Sequence, residues 1–153
     1  MQKRSKSYKK IKTKKPAYNK RRKSTKRSPK WKQGQVSRGE QEVMFFLRSK
    51  GISYIHEAEF SDCFNPKTQA LLRFDFFLPM HQTTIEFDGP SHQMYVPEFD
   101  GKDPKIGAKK LADRQFKDSV KDDYCKRKGF KMLRIPYTKQ SEITEIISKF
   151  LNL

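Results

Sequence analysis

Asp75, Glu86, Asp88 and His92 fall within 18 residues of one another. Carboxylates hold hard cations, and an imidazole moves protons near neutral pH. Asp75 lies in the run Leu72 to Leu78, and Glu86 and Asp88 lie in Thr83 to Asp88. Both runs alternate, and Pro79-Met80-His81-Gln82 separates them, which predicts a hairpin with a four-residue loop. Leu72, Phe74, Phe76 and Leu78 are expected on one face and Asp75 on the other. Ile85 and Phe87 then oppose Glu86 and Asp88. If Leu78 pairs with Thr83, the numbers of every pair sum to 161 and Asp75 lies across from Glu86. Directly opposed side chains are about 4.5–5.5 Å apart at Cβ, where like charges destabilise. Asp88 follows on the same face. Three carboxylates among half-buried aromatic strands must take up protons, pair with a base, or hold a hard cation.

A solvated face with Arg73 as counter-ion is the plainer reading, but solvated faces usually mix charge signs with Thr. The acidic row therefore favours a divalent ion. Oxygen ligands select Mg²⁺ or Mn²⁺ over zinc, and such ions polarise phosphate and activate water in phosphodiester hydrolysis. The set depends on register, because a slip of one residue sends it to the opposite face.

Neighbouring residues carry two readings each. His92 follows the turn Gly89-Pro90-Ser91 and is either a general base or acid, a metal ligand, or a loop residue satisfied by hydrogen bonds. Glu40 closes a capping box with Ser37. Lys121, one turn before Tyr124, either reaches a phosphate or is one more solvated lysine; Gln115 and Asp118 are equally open. Cys63 and Cys125 are too few for a disulfide scaffold or a four-cysteine zinc site, and read as packing residues in a reducing compartment.

The elements that position these groups follow from periodicity. Ser37-Arg38-Gly39-Glu40 opens a helix with Val43, Met44 and Leu47 inward and Gly51 at its end. Ser53 to Phe60 reads as extended, with a polar loop through Asp62, Asn65 and Pro66. Pro90 to about Gly107 reads as a long loop. Lys109 to Lys128 is expected as a helix with Ala112, Phe116, Val120 and Tyr124 as its buried stripe and Gly129 as terminator. Lys131 to Ile135 forms a strand stopped by Pro136, and Ile143, Ile146, Ile147, Phe150 and Leu151 mark a last amphipathic helix. The order α-β-β-β-α-β-α specifies an α/β fold around a small mixed sheet.

Charge divides the chain. Its 153 residues hold 35 Lys or Arg against 17 Asp or Glu, a formal net charge of +18. Residues 1–33 contain 16 of the bases and no acid, leaving 19 bases against 17 acids in the remainder. Residues 1–36 thus read as a disordered basic tail and 37–153 as the folded domain. Lys9, Lys10, Lys14, Lys15, Lys20, Arg21, Arg22, Lys23, Lys26 and Arg27 are its candidate nucleic-acid contacts, with salt-dependent affinity for phosphate. A solubilising or nuclear-targeting arm has the same composition. No stretch approaches the ~20 apolar residues of a membrane span, and no apolar run follows the basic start, so a secreted or membrane protein is not expected.

The run Arg73-Phe74-Asp75, then Ile85-Glu86-Phe87-Asp88-Gly89, then His92, resembles the PD-(D/E)XK nuclease superfamily. The likeness is to its EDxHD and very-short-patch-repair-like branch, found in phages and large DNA viruses. Gln115-Phe116-Lys117-Asp118-Ser119-Val120-Lys121-Asp122-Asp123-Tyr124-Cys125 and Leu133-Arg134-Ile135-Pro136-Tyr137 extend it over residues 37 to 138. The resemblance implies a restriction-endonuclease-like αβββαβ core and metal-dependent cleavage of DNA by an endonuclease or nickase inside a cell, in its nucleoid or nucleus. It implies Asp75 and Glu86 as ligands of Mg²⁺ (or Mn²⁺), with Glu40 added from the first helix. Asp88 stands where the superfamily pattern has Lys, and His92 or Lys121 is expected to take over that role. If neither points inward, a non-catalytic DNA-binding or packaging protein on the same fold is the alternative. DNA is expected ahead of RNA as partner, and a homodimer stays open.

Overall fold

The computed structural model describes residues 36–153. The tail contacts named above, Lys9 through Arg27, lie outside the described residues.

Ser37 caps the first helix, α1 (Arg38–Ser49): its Oγ accepts the Glu40 N–H at 3.2 Å. Val43, Phe46 and Leu47 form the inward stripe, with Met44 half-buried beside them. Three strands follow, β1 (Ile55–Phe64), β2 (Leu71–Leu78) and β3 (Thr83–Asp88). β1 runs four residues beyond Phe60, so Asp62 is a strand residue rather than part of a loop. Pro79–His81 make one 3₁₀ turn and Gln82 takes a left-handed conformation (φ 47°), which closes the four-residue hairpin loop. Its register is the expected one, with Leu78 against Thr83, Phe77 against Thr84 and Phe76 against Ile85.

The Pro90–Gly107 stretch is largely helical. α2 (Pro90–Gln93) and α3 (Pro97–Asp100) are single turns, and α4 (Pro104–Lys128) begins at Pro104 under an Asp103 cap. Gly107 lies inside α4, where a Cβ would fall 2.1 Å from the Tyr95 ring; the glycine allows that close approach rather than ending a loop. β4 (Lys131–Pro136) pairs parallel to β3, and α5 (Ile143–Leu151) closes the chain. The sheet order is β1-β2-β3-β4, a mixed four-stranded sheet with helices on both faces.

One face is apolar. Phe76, Leu78, Ile85, Phe87, Leu133 and Ile135 pack against Val43, Phe46 and Leu47 of α1 and Ile143 and Ile147 of α5. The other face meets α4 and is divided. Leu72, Phe74, Phe77, Tyr124 and Cys125 form an aromatic cluster at one end, while Thr84, Glu86 and Asp88 present polar groups beside it.

Two expectations fail here. Phe74 and Phe76 do not share a face: Phe74 stacks with Tyr124 on the α4 side, and Phe76 meets Tyr54 and His56 on the other. Between the pairs Ala58–Phe74 and His56–Phe76, Glu57 adopts φ 49°, so the regular pleat is interrupted and both strands change phase together. Such backbone costs about 1–3 kcal/mol at a non-glycine residue and is retained only where packing imposes it. The buried stripe of α4 holds at Tyr124, Val120 and Phe116 but not at Ala112. Ala112 is exposed, and Lys121 and Cys125 join the buried face, because α4 lies over charged strand residues that reward a buried lysine.

Candidate active site

The β2–β3 hairpin and α4 build the site. Glu86 is 2% exposed. Its Oε2 accepts the Lys121 Nζ at 2.6 Å, and its Oε1 accepts the backbone N–H of Asp75 at 3.1 Å. Asp75 reciprocates: its Oδ2 accepts the backbone N–H of Phe87 at 2.8 Å. The ladder of the hairpin ends at Phe76–Ile85, so each carboxylate takes up a backbone donor of the opposite strand where the next ladder bonds would form. Burial and then the Asp75 charge push the Glu86 carboxyl up to about 7, with Lys121 working the other way. The opposed acids are thus tolerated by a buried lysine, by backbone N–H groups, and by readiness to take up a proton. Lys121 Nζ also lies 5.3 Å from the centroid of the Phe74 ring.

Glu40 joins this group from α1. Gly39 brings the start of α1 against β3 so closely that a Cβ there would lie 2.1 Å from the Phe87 ring. Burial, followed by the nearby Asp75 charge, raises the Glu40 carboxyl, while hydrogen bonding with Ser37 lowers it. Glu40 Oε2 is 3.7 Å from His56 Nε2. Glu40 is therefore both cap and neighbour of Asp75.

Asp88, at the end of β3, belongs to a second group. Asp88, His92 and Asp118 each offer one ligand atom, all within 4.8 Å of one another. His92 Nδ1 is 2.9 Å from Asp118 Oδ2 and 3.7 Å from Asp88 Oδ1. Arg134 crosses beneath them, donating to Asp88 Oδ1 at 3.0 Å and to Asp122 Oδ1 at 2.9 Å, with Asp118 Oδ1 at 3.5 Å. The Asp118 hydrogen bond raises the His92 imidazole above its ordinary value despite burial. Burial works to raise Asp118 too, but His92 and Arg134 outweigh it and the net shift is downward.

Arg73 is not the counter-ion of these acids; it pairs at 3.3 Å with exposed Glu57. Gln115 is exposed. Asp118 and Arg134 carry the second group, although sequence reasoning left the first open and missed the second. The missed signal was Arg134 alternating with Leu133 and Ile135: in the parallel register it stands beside Glu86, on the polar row.

A cleft of about 380 Å³ opens between α4 and β2 with the turn that precedes it, lined by Asp75, His92, Asp118 and Lys121 but not by Glu86 or Glu40. Arg73, Arg114 and Lys117 also line it, paired with Glu57, Asp100 and Asp113 in turn. One carboxylate of each group, Asp75 and Asp118, therefore faces the same space.

No family model matches the chain, and no solved structure matches it. Over 74 residues it is 32% identical to the uncharacterized protein 094L of Frog virus 3 (isolate Goorha). That stretch is 48% of this chain, and the chain spans about half the length of that relative, 45%.

Proposed function

We propose that residues 37–153 are a metal-dependent nuclease domain of the PD-(D/E)XK kind, hydrolysing phosphodiester bonds in DNA. The observation that carries this reading is the Lys121–Glu86 contact beside Asp75. A helix lysine stands against the second acid of a hairpin acid pair, and so supplies from α4 the charge that the strand position of Asp88 lacks. The α1-β1-β2-β3-α4-β4 order accords with such a core.

Asp75, Glu86 and Glu40 offer hard oxygen donors, although among the described residues the group whose ligand atoms lie within 4.8 Å of one another is Asp88, His92 and Asp118. Asp75 bears on both Glu40 and Glu86, a mutual repulsion that a double positive charge relieves. Asp75 and Glu86, with Glu40 beside them, would hold Mg²⁺ or Mn²⁺. When bound, the ion supplies polarisation of the phosphate and a more acidic water. The chain does the remainder. Arg73 and Lys117 attract the phosphate backbone into the cleft. His92, made more basic by Asp118, takes the proton of the attacking water. Lys121 keeps Glu86 beside Asp75 and faces the cleft, where it meets negative charge on the phosphate. The basic tail, Lys9 to Arg27, adds affinity without sequence preference.

Plasmid nicking in Mg²⁺ and in EDTA tests the reading. The full chain is expected to nick only in Mg²⁺, and Asp75→Ala to abolish nicking while shifting the plasmid on a gel as before. Nicking at full rate by Asp75→Ala refutes the assignment. Removing residues 1–33 is expected to weaken binding and flatten its dependence on salt; an unchanged slope dismisses the clamp.

One observation favours a second reading. Glu86 and Asp88 already have Lys121 and Arg134 as partners, as a non-catalytic DNA-binding protein on this fold would require. Plasmid shifted but unbroken in both conditions would decide for it.

A further inference from the structure

We infer that Arg114 is a positioning residue for His92, held in place by the buried carboxylate of Asp100. This rests on the reading of His92 as the proton-transferring group.

Arg114 and Asp118 stand one helical turn apart on α4, and they grip consecutive residues of the segment that leaves β3. Arg114 Nε donates to the Ser91 carbonyl at 2.8 Å, and Asp118 Oδ2 is 2.9 Å from His92 Nδ1. The first contact fixes the backbone one residue before the imidazole; the second fixes the imidazole. The rest of the Arg114 guanidinium is committed to Asp100 in a two-pronged fork, Nη1 to Oδ1 at 2.6 Å and Nη2 to Oδ2 at 3.0 Å.

Asp100 is 0% exposed. Its Oδ2 also accepts the Val96 N–H at 2.9 Å, and its carbonyl accepts Lys110 Nζ at 2.9 Å. The Tyr95 hydroxyl donates to the Gly101 carbonyl, with its ring against Gly107. The segment from Ser91 to Gly101 is thereby strapped to the first half of α4. A buried Asp–Arg pair is poor evidence for stability, since its desolvation offsets much of its attraction. What it does supply is direction. Only a guanidinium offers a planar fork and a third donor to Ser91 at once, so a lysine here keeps the charge and loses the geometry.

Arg114→Lys and Asp100→Asn in the full chain test this through the ¹⁵N-labelled imidazole of His92 and through plasmid nicking in Mg²⁺. With the fold intact by circular dichroism, both variants are expected to shift the His92 Nδ1 resonance as its bond to Asp118 loosens. The nicking rate is expected to drop roughly 10- to 100-fold, as for residues that orient catalytic ligands, with plasmid binding changed far less. If Asp100→Asn does not fold, Arg114→Lys alone decides. An unmoved His92 resonance in folded Arg114→Lys overturns the inference, and so does a moved resonance at full nicking rate. Should the unmodified chain nick nothing, the nuclease reading falls, and the His92 resonance still decides whether Arg114 positions it.

Discussion

The two faces of the sheet use the same strands for opposite purposes. Along β3, Ile85 and Phe87 enter the apolar core with α1 and α5, while Thr84, Glu86 and Asp88 turn towards α4 and its charges. The apolar face is sealed by side chains that need nothing but contact. The α4 face carries two sets of ion pairs and hydrogen bonds, Glu86 with Lys121 and Asp88, His92, Asp118 and Arg134 together, bordered by an aromatic cluster. One face can therefore bear the stability while the other holds acids too close for water to separate them. Charges on such a face are tolerated through specific partners, so removing one partner harms more than removing both.

The largest effect tests that last point. Lys121→Met is expected to lose about 3–5 kcal/mol at pH 8 by leaving Glu86 buried without its base, and Glu86→Leu with Lys121→Met to recover most of it. Urea unfolding of the two variants reads the difference; equal losses would show that the pair is not coupled. On the other face, Ile147→Ala, which empties a fully buried position, is expected to lose about 2–5 kcal/mol and leave per-molecule nicking intact. A drop in nicking at fixed folded fraction would break the division of labour.

A smaller effect comes from pH. The folded state holds the Glu86 proton up to about pH 7, whereas the unfolded chain releases it near 4.5. Unfolding therefore releases a proton in that window. The stabilising contribution is complete below pH 4.5 and is lost as pH rises through 7, by at most about 3 kcal/mol. His92, raised by Asp118, adds a term of the same sign above pH 6.5. Glu86→Gln is expected to flatten the stability profile between pH 4.5 and 7, as read from thermal midpoints; an unaltered profile would remove Glu86 as its source. The smallest effect is local: Ser37→Ala, which removes the α1 cap, is expected to lose about 1 kcal/mol.

The hairpin was legible because its information is short-range. Two alternating runs and a Pro-led four-residue loop leave one register, and that register put Asp75 beside Glu86. The face change between Phe74 and Phe76 was not legible, since a left-handed Glu57 on the neighbouring strand causes it and no periodicity within β2 announces it. The stripe of α4 was incomplete for a related reason. Apolar spacing pointed to Ala112, which is exposed, while Lys121 is drawn inward by Glu86, 35 residues away in sequence. The Pro90–Gly107 stretch resembled a loop because Pro and Gly usually punctuate; here each proline starts a helical turn and Gly107 makes room for Tyr95.

By itself, the amino-acid order determined the α/β element sequence, the hairpin with its acid pair, the cap that carries Glu40, and the concentration of 16 bases and no acid in residues 1–33. These follow from local periodicity, turn chemistry and charge counting, which need no partner from afar. Tertiary structure alone decided which base meets which acid: Lys121 with Glu86, Arg134 with Asp88, Arg114 with Asp100. Ion pairs of that kind depend on how helices cross a sheet, and a long flexible side chain has no address until the backbone around it is in place.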